Sequence, residues 1–475
     1  MTGARVNDIE FVAGVSETLA EEYRKAKRYV DEVPTQSLLH VRSFAHRLTT
    51  LLAAQALVTF EGPNLYDHIE QLNQQRLIDV RITRALHRIR ADGNRGAHPE
   101  KYHLEQAQLQ QLARKAIRDL LKLVELVYPL LRRQDAPAYQ FDEFDAMGGR
   151  ELCFRAVMED DSEAQYLLGM SFKSQALMAR QQEQALQPEE NVPKQQAIPY
   201  LAKAAYWFSQ AAAHDSRAKF EHGVALLHGY VGAADVAAGQ QLIRDAAEAG
   251  VVDAMALLGY FYLVGSGDIT ADIAQAEKYL TAAAAQEHAE AMANLGVLYY
   301  KQGDLAAAYH NIAQAAKSGY PHAQYHLSLM LARGEGCQQD LSASEQWLAE
   351  AAEQGQLDAM LARAQHMLNQ EQAFGSDMSQ AESYLRQVIR YGHSVPAMIE
   401  LAIALTDGSL GRIDVVEAAA WLKLARGRAN EHEQQVLQPL WQSLAQQVAR
   451  VLALSKDKAE QRSLRRAQEL LADQS

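Results

Sequence analysis

The chain is poor in the features that define several large classes of protein. Two cysteines in 475 residues, Cys153 and Cys337, cannot make a disulfide framework and suit a reducing compartment. The longest uncharged apolar run, near residues 49–60, is far shorter than the ~20 residues that span a bilayer. The first residues, MTGARVNDIEF, carry acids and lack the apolar core of an export signal. These absences predict a cytoplasmic protein with no membrane segment.

The sequence also lacks the local motifs of common enzymes. It contains no phosphate-binding loop, no dinucleotide fingerprint and no serine or cysteine nucleophile motif. Both cysteines are expected to be small buried apolar residues. His322 and His326 lie four residues apart, a spacing that zinc uses, but no third ligand stands near them in the sequence. We therefore predict no metal, no cofactor and no enzymatic activity.

What the chain does contain is enough apolar sequence for a large core and an uneven distribution of charge. Hydrophobic residues make up 48% and charged residues 22%, which is typical of a folded protein of two to four domains or of one repeat array. The net charge of −13 argues against a nucleic-acid binder over the whole chain. Up to Asp135, however, 20 Lys and Arg face 17 Asp and Glu, a net +3, whereas the remainder has 26 against 42, a net −16. The two parts are electrostatically different.

A short stretch of alanine and apolar residues recurs seven times along the acidic part. The first two copies lie 54 residues apart, and the later spacings are 36, 37, 32, 36 and 38 residues. The recurring alanines are Ala164, Ala218, Ala254, Ala291, Ala323, Ala359 and Ala397. Self-similarity at this period is typical of helical repeat proteins, in which each repeat is one supersecondary unit.

Each copy predicts a hairpin of two helices. Five residues after each alanine the side chain is small, which indicates that a neighbouring helix crosses there. These positions are Gly169, Gly223, Gly259, Gly296, Ser328, Ala364 and Ala402. The second helix carries an aromatic residue in a shared register, expected mostly in the core, at Tyr279, Trp347, Tyr384 and Trp421. It is predicted to end at a residue of positive φ, at Gly250, Gly319, Gly355 and Gly392.

Such hairpins cannot bury their apolar faces alone, so they must stack. The sequence predicts an all-α fold with a right-handed α-solenoid of about seven helix-turn-helix repeats over residues 151–430.

The solenoid is predicted to have a C-terminal cap and one insertion. In residues 431–475, an apolar stripe predicts a capping helix, followed by a solvated helix or frayed tail; its residues are Val436, Leu440, Leu444, Val448 and Leu452. The first repeat contains a Gln- and Glu-rich insertion with Pro188, Pro193 and Pro199, which is either a tolerated surface loop or a partner-specific edge.

The repeat pattern resembles a known family. D-A-x-x-x-L-G-x-x-Y, G-x-G-x-x-x-D and A-x-x-W-L-x-x-A-A-x-x-G are similar to the Sel-1-like repeat, a relative of the tetratricopeptide repeat, best over residues 253–288 and 322–356. Residues 291–319 depart from it by a shortened loop, and the last three copies replace the glycine. The resemblance implies a scaffold or adaptor that binds another protein. We expect the acidic solenoid surface to bind a basic or helical segment of that partner.

Residues 1–133 lack the repeat pattern and are predicted to form a helical bundle, joined to the solenoid by a linker over residues 134–150. Its helices are expected near residues 8–30, 36–60, 66–73, 76–92 and 104–132. Arg81, Arg84 and Arg88 project opposite the apolar face of the fourth helix. They are either a solvated face or contacts for phosphate or an acidic partner.

The end of that helix resembles the signature L-x-x-I-R-x-x-G-N-x-x-A-H of an uncharacterised bacterial helical domain, found in type I restriction subunits and grouped with the HEPN superfamily. The matching positions are Leu86, Ile89, Arg90, Gly93, Asn94, Ala97 and His98. The resemblance covers roughly residues 30–130. It implies catalytic candidates at Arg90, Asn94 and His98, a homodimer through the bundle, and an alternative function in RNA binding or cleavage, in phage defence or stress response.

The spacing departs from that of HEPN nucleases, in which four to six residues separate the arginine from the histidine. Seven residues separate Arg90 from His98. Five residues separate Arg81 from His87, but this pair lies within an amphipathic helix. We therefore predict a structural role in which Arg90, Asn94 and His98 hydrogen-bond the turn after the helix and hold the next helix.

Overall fold

The computed structural model describes residues 6–61, 64–97, 104, 106–144, 148–185, 197–369 and 378–472. These residues form 23 helices and one pair of two-residue strands, which confirms the all-α prediction. They divide into two compact units, with the boundary between Gln339 and Asp340. None of the described helices combines the length and apolarity needed to cross a lipid bilayer.

The first unit begins with a helical bundle in which the long third helix contacts most of the other helices. The helices are α1 (Asp8–Ala13), α2 (Glu17–Arg28), α3 (Pro34–Gln55), α4 (Leu65–Gln74), α5 (Val80–Ala97) and α6 (Gln106–Arg132). The strands β1 (Val6–Asn7) and β2 (Tyr139–Gln140) pair in parallel. The apolar faces of α2, α3, α5 and α6 meet in one core. The predicted single helix over residues 8–30 is wrong, because the chain turns between Ala13 and Glu17.

Helix α5 continues to Ala97, five residues beyond the predicted end at residue 92. Gly93 lies where α5 crosses α3, and a Cβ atom at that position would stand 2.6 Å from the Cβ of Arg42. Gly96 meets Leu38 of α3 in the same way. The glycines therefore serve a close helix crossing instead of the predicted turn.

The junction after the bundle lies against it. The ring of Tyr139 stacks on Phe11 with centroids 4.3 Å apart, and its hydroxyl donates to Glu125 over 2.7 Å. Cationic groups of Lys27 and Arg118 lie over the ring of Phe141. These contacts hold residues 139–144 on the bundle surface, so this part of the predicted linker is packed.

The first unit continues with helices that pack in consecutive pairs. They are α7 (Gly148–Met158), α8 (Ser162–Ala185), α9 (Ala197–Ala211), α10 (Ser216–Leu227), α11 (Val236–Glu248), α12 (Val252–Val264), α13 (Ile273–Ala284), α14 (Ala289–Gln302), α15 (Leu305–Lys317) and α16 (Pro321–Arg333). Helices α8 with α9, α10 with α11, α12 with α13 and α14 with α15 form the predicted hairpins. Helix α8 runs through the first half of the insertion, whereas Pro188 and Pro193 lie outside the described residues.

The small residues of the repeat lie at the predicted crossings. A Cβ atom at Gly259 would stand 2.7 Å from Cγ of Leu280, and one at Gly296 would stand 2.5 Å from Cγ1 of Ile312. In each case the neighbour belongs to the second helix of the same hairpin. The aspartates of the inter-helix loops cap that second helix, since the side chain of Asp272 accepts the backbone N–H of Gln275.

The second unit contains α17 (Leu341–Glu353), α18 (Leu357–Leu368), α19 (Met378–Gly392), α20 (Val395–Asp407), α21 (Val415–Arg426), α22 (Glu431–Leu454) and α23 (Lys458–Leu471). Helix α22 buries one face, but in a register different from the predicted one. Its buried side chains are Leu437, Trp441, Leu444 and Val448, while Val436 is exposed. A strict four-residue spacing drifts around a helix of 3.6 residues per turn, which is why the predicted stripe leaves the buried face.

The helix-end glycines, the aromatic residues in register and the cysteines differ in part from the predictions. Gly250, Gly319 and Gly355 have the predicted positive φ, but Gly392 is the last residue of α19 and His393 takes the positive φ instead. Of the four aromatic residues in register, only Tyr384 is fully buried. Cys153 is exposed because α7 turns Leu152 and Ala156 toward the core, and Cys337 is half-buried, so neither cysteine is buried as predicted.

Candidate functional site

A groove of the first unit runs between the bundle and the first helices of the repeats. Residues of α8, α10, α12 and α14 form its floor, and Thr35, Gln36 and Leu39 of α3 form one wall. The groove has a volume of about 750 Å³. We call it the α3 groove. It exists because the bundle packs beside the repeats instead of extending from them.

The floor of the α3 groove combines apolar and charged side chains. Phe220 and Leu257 are half-buried, and Tyr260 is 42% exposed. Lys173 donates to both carboxylate oxygens of the buried Glu221, at 2.9 and 2.7 Å. Such a surface offers apolar contact area between fixed charges, which is the composition of a protein-binding surface.

A cation–aromatic contact and a capping histidine hold charged and polar groups of this floor in fixed positions. The guanidinium of Arg217 lies 4.5 Å from the ring centre of Tyr166, and burial, followed by the charge of Glu221, raises the pKa of the Tyr166 hydroxyl. His288 accepts the backbone N–H of Ala291 at Nδ1 over 3.2 Å. Its Nε2 lies 3.1 Å from Asp253. His288 therefore caps α14 and carries its proton on Nε2, toward the carboxylate.

The motif residues of α5 bind the repeats at one end of this interface. Arg90 donates from Nη1 to the carbonyl of Lys317 over 2.7 Å, and the amide of Asn94 donates to the carbonyl of Ser318. A Cβ atom at Gly319 would stand 2.6 Å from Nδ2 of Asn94. The last carbonyls of a helix lack partners within the helix and carry its negative dipole end. Arg90 and Asn94 thus cap the C-terminus of α15.

This position differs from the expected one. The sequence predicts hydrogen bonds from Arg90 and Asn94 to the turn after their own helix, whereas both side chains bond to a helix end more than two hundred residues away. His98 lies outside the described residues. The structure therefore joins two of the three candidate residues at a docking contact between bundle and repeats.

Other polar contacts extend the docking surface, and sequence reasoning missed them. The amide of Asn64 donates to Gln314 over 2.5 Å, and Lys317 lies 3.8 Å from Asp67. Glu287 lies 3.5 Å from both Arg42 and His46. No local pattern marks these residues, because each partner is far away in the chain.

Burial controls the protonation of this charged cluster. It lowers the pKa of His46 to about 4, and the positive charges of neighbouring side chains add to the effect. Burial also raises the pKa of Glu287, although Arg42 opposes the change. His46 is consequently neutral at pH 7, so the contact between α3 and the repeats includes an uncharged imidazole.

Arg81, Arg84 and Arg88 lie on the outer face of α5 and are exposed, as the helical spacing predicts. Arg81 pairs with Asp79 over 2.8 Å, and Arg88 lies 4.0 Å from Asp119. They line a shallow groove between α5 and α6 of about 290 Å³, which is separate from the docking contact.

The two spaced histidines lie in α16, and each contacts an aromatic ring that is near it in the chain. His322 packs on Tyr320 and His326 on Tyr325. Within the ranges that the structure describes, no three or more His, Cys, Asp or Glu residues cluster as a metal site would need.

Two protein-family models match separate parts of the chain. A model described as the Sel1 repeat matches six segments, and a model described as a domain of unknown function, DUF4145, matches residues 24–140. The Sel1 segments are residues 162–187, 201–216, 252–288, 289–320, 321–356 and 395–426. The predicted resemblance to the Sel-1-like repeat is confirmed, and the HEPN grouping of the bundle stays a prediction.

Comparison with solved structures adds three similar chains. A Sel1 repeat protein from Oxalobacter formigenes is 21% identical, with a TM-score of 0.44 over 62% of this chain and 92% of its own. A protective antigen of uropathogenic Escherichia coli with an SLR fold is 17% identical, with a TM-score of 0.38 over 99% of each chain. Yeast Tom70 is 13% identical, with a TM-score of 0.34 over 97% of this chain and 96% of its own.

No curated protein matches the chain in the corresponding sequence search. Taken together, the repeats are similar to Sel1 repeats, and the N-terminal bundle is similar to a domain of unknown function.

Proposed function

We propose that this protein is a non-enzymatic scaffold that holds a segment of another protein in the α3 groove. The observation that carries the proposal is the open floor of this groove, where half-exposed apolar side chains lie among charged ones. Similarity to Sel1 repeats supports the same function, because the resemblance implies a protein-binding scaffold. In helical repeat proteins, stacked hairpins create extended surfaces suited to such binding.

The groove favours a partner segment that is apolar on one side and basic on the other. Three carboxylates, those of Glu221, Asp253 and Glu290, line it together with the permanent cations of Lys173 and Arg217. The excess of negative charge is small, so the apolar strip must supply much of the affinity. A helix with basic residues beside an apolar stripe has this chemistry.

Site-specific photocrosslinking tests the proposal. We expect a photoreactive residue in place of Tyr260, in the α3 groove, to crosslink a specific protein in the native cells. Tyr206, on the second helix of its hairpin and outside the residues that line the groove, is the matched control because it is also exposed, at 56%. The Tyr260 crosslink should disappear when Leu257 is replaced by Arg.

Two outcomes contradict the proposal. One is the same set of proteins crosslinked from Tyr260 and Tyr206, which indicates non-specific contact. The other is a Tyr260 crosslink that survives Leu257→Arg in a protein that circular dichroism shows to be folded.

The alternative proposal is an RNA-binding or RNA-cleaving protein of the HEPN type, with the bundle as a dimerisation module. Nuclease chemistry needs an arginine and a histidine that converge on one phosphate. Arg90 instead donates to the Lys317 carbonyl and is half-buried, which favours the docking role. Cleavage of purified RNA that is lost in His98→Ala would support the alternative over the scaffold.

A further inference from the structure

A second charged surface lies where α5 and α6 run side by side. Four arginines of α5 and two lysines of α6 line its edges; Arg95 is half-buried and the other five are exposed. They are Arg81, Arg84, Arg88, Arg95, Lys115 and Lys122. We call this surface the α5–α6 groove. The function proposed above does not use it.

Asp79 at the start of this surface is exposed beside Arg81, whereas the two other acids, Asp92 and Asp119, lie beneath the cations. Asp92 is only 3% exposed and Asp119 only 9%. Asp92 pairs with Arg95 over 3.3 Å and with Lys115 over 3.5 Å. Asp119 pairs with Lys122 over 3.0 Å, and Arg88 lies 4.0 Å away from it. The buried carboxylates hold the cationic side chains in place, while an approaching molecule meets mainly positive charge.

Between the two cationic edges the floor is apolar. Ala85 of α5 and Leu123 and Leu126 of α6 line the pocket of about 290 Å³. Arg88 approaches Asp119 and Asp92 approaches Lys115, so the two helices run antiparallel. The groove therefore follows both helices, with apolar contact area along its centre and cations along its sides.

We infer that the α5–α6 groove binds an acidic amphipathic segment of another protein. Carboxylates of such a segment pair with the arginines and lysines at the edges, and its apolar side chains cover the half-buried Ala85 and Leu126 above the buried Leu123. In the described part of the chain Arg84 has no ion-pair partner, so it is available for a carboxylate of the ligand.

Nucleic acid fits the same groove less well. Affinity for nucleic acid comes mainly from many phosphate contacts, and single strands also need aromatic side chains on which bases stack. The residues that line this pocket include no aromatic side chain, and the carboxylate of Asp119 lies among them. The apolar floor has no use in phosphate binding. The groove thus has the chemistry of a protein-binding site.

A fluorescence binding experiment on the full chain tests the inference. The probe is a labelled helical peptide with Glu residues on one face and Leu residues on the other. We expect saturable binding that weakens with added salt and that falls by about tenfold or more in Arg84→Glu/Arg88→Glu. The control, Lys278→Glu/Lys301→Glu, makes the same change in net charge at exposed lysines of the repeats and should leave binding unchanged.

Two further probes distinguish an amphipathic peptide from a merely acidic peptide and from RNA as ligands of the groove. A peptide of Glu residues alone, with the same charge, should bind more weakly because it leaves the apolar floor uncovered. A single-stranded RNA should also bind more weakly than the amphipathic peptide. Absence of peptide binding, equal loss in both double variants, equal binding of the all-Glu peptide, or tighter binding of RNA would each overturn the inference. Thermal melting of both variants checks that they are folded.

Discussion

Single residues of the α5 motif perform three separable tasks. Leu86 and Ile89 are fully buried in the bundle core. Gly93 permits the crossing with α3, and Arg90 and Asn94 bind the carbonyls at the end of α15. Glycine and asparagine are common in turns, which is why the sequence suggested one. Here packing against α3 keeps both residues inside a helix, since tertiary contact overrides local preference.

The first prediction concerns Asn94, which is buried. Asn94→Ala leaves the Ser318 carbonyl without this donor, so the free energy of unfolding should fall by about 1–3 kcal/mol in urea denaturation. Asn94→Asp keeps the size but replaces the donor by an acceptor, and it should lose at least as much. Stability unchanged in both variants would mean that the docking bond contributes nothing.

At the scale of elements, the hairpin is the unit that the repeat pattern encodes. Small residues in the first helix meet large apolar residues of the second, as Gly259 meets Leu280. This relation involves neighbours in the chain, so spacing alone predicts it. Helix α22 shows the limit of spacing, because the face that is buried there depends on which helices it packs against. Leu437 and Trp441 are buried on it, whereas Val436 is not.

The second prediction concerns the crossing of α14 and α15. Gly296→Ala should destabilise the protein by about 1–2 kcal/mol, because overpacking against Ile312 exceeds the gain of about 1 kcal/mol in helix propensity. Removing the large partner relieves the overlap. The double variant Gly296→Ala/Ile312→Ala should therefore be more stable, by about 1 kcal/mol, than the sum of the single changes implies.

A control cycle pairs Gly296→Ala with Ile117→Ala, a fully buried residue of the bundle core in α6. Its effects should add, since the two sites share no contact. Additive effects in the Gly296/Ile312 cycle as well would show that the two residues do not constrain one another.

At the scale of the whole molecule, the chain contains two compact units, and the first joins two different kinds of sequence. Its bundle and its repeats are held together by buried polar contacts such as those of Asn64 and Asn94. The second unit has its own charge network, in which Glu382 accepts hydrogen bonds from Arg412 over 2.7 Å and Arg386 over 2.8 Å. The bond from Arg412 is the main reason that the pKa of Glu382 falls to about 2.

The third prediction follows from this division. Calorimetry of the full chain should show more than one unfolding transition, because two units with separate cores need not unfold together. Asn94→Ala should lower only the transition of the first unit. Glu382→Gln should lower only the other transition, by less than about 1 kcal/mol because the network is partly exposed.

The effect of Glu382→Gln also has a defined pH dependence. The folded pKa of Glu382, about 2, lies below the ordinary value of 4.5 for a glutamate, so its ionised form stabilises the protein above pH 4.5. That contribution is lost as the pH falls from 4.5 toward 2.

In the calorimetry, a single transition that both Asn94→Ala and Glu382→Gln shift equally would contradict the independent unfolding of the two units.

The sequence by itself determined the all-α class, the hairpin repeats, their caps and their crossing points, because all of these depend on residues close together in the chain. Only the tertiary structure decided that Arg90 and Asn94 bind Lys317 and Ser318, and that α3 forms a wall of the groove. Periodicity shows which face of a helix is buried but not which distant helix covers it. Contacts across more than two hundred residues are selected by packing of the whole unit, and that packing has no local signature.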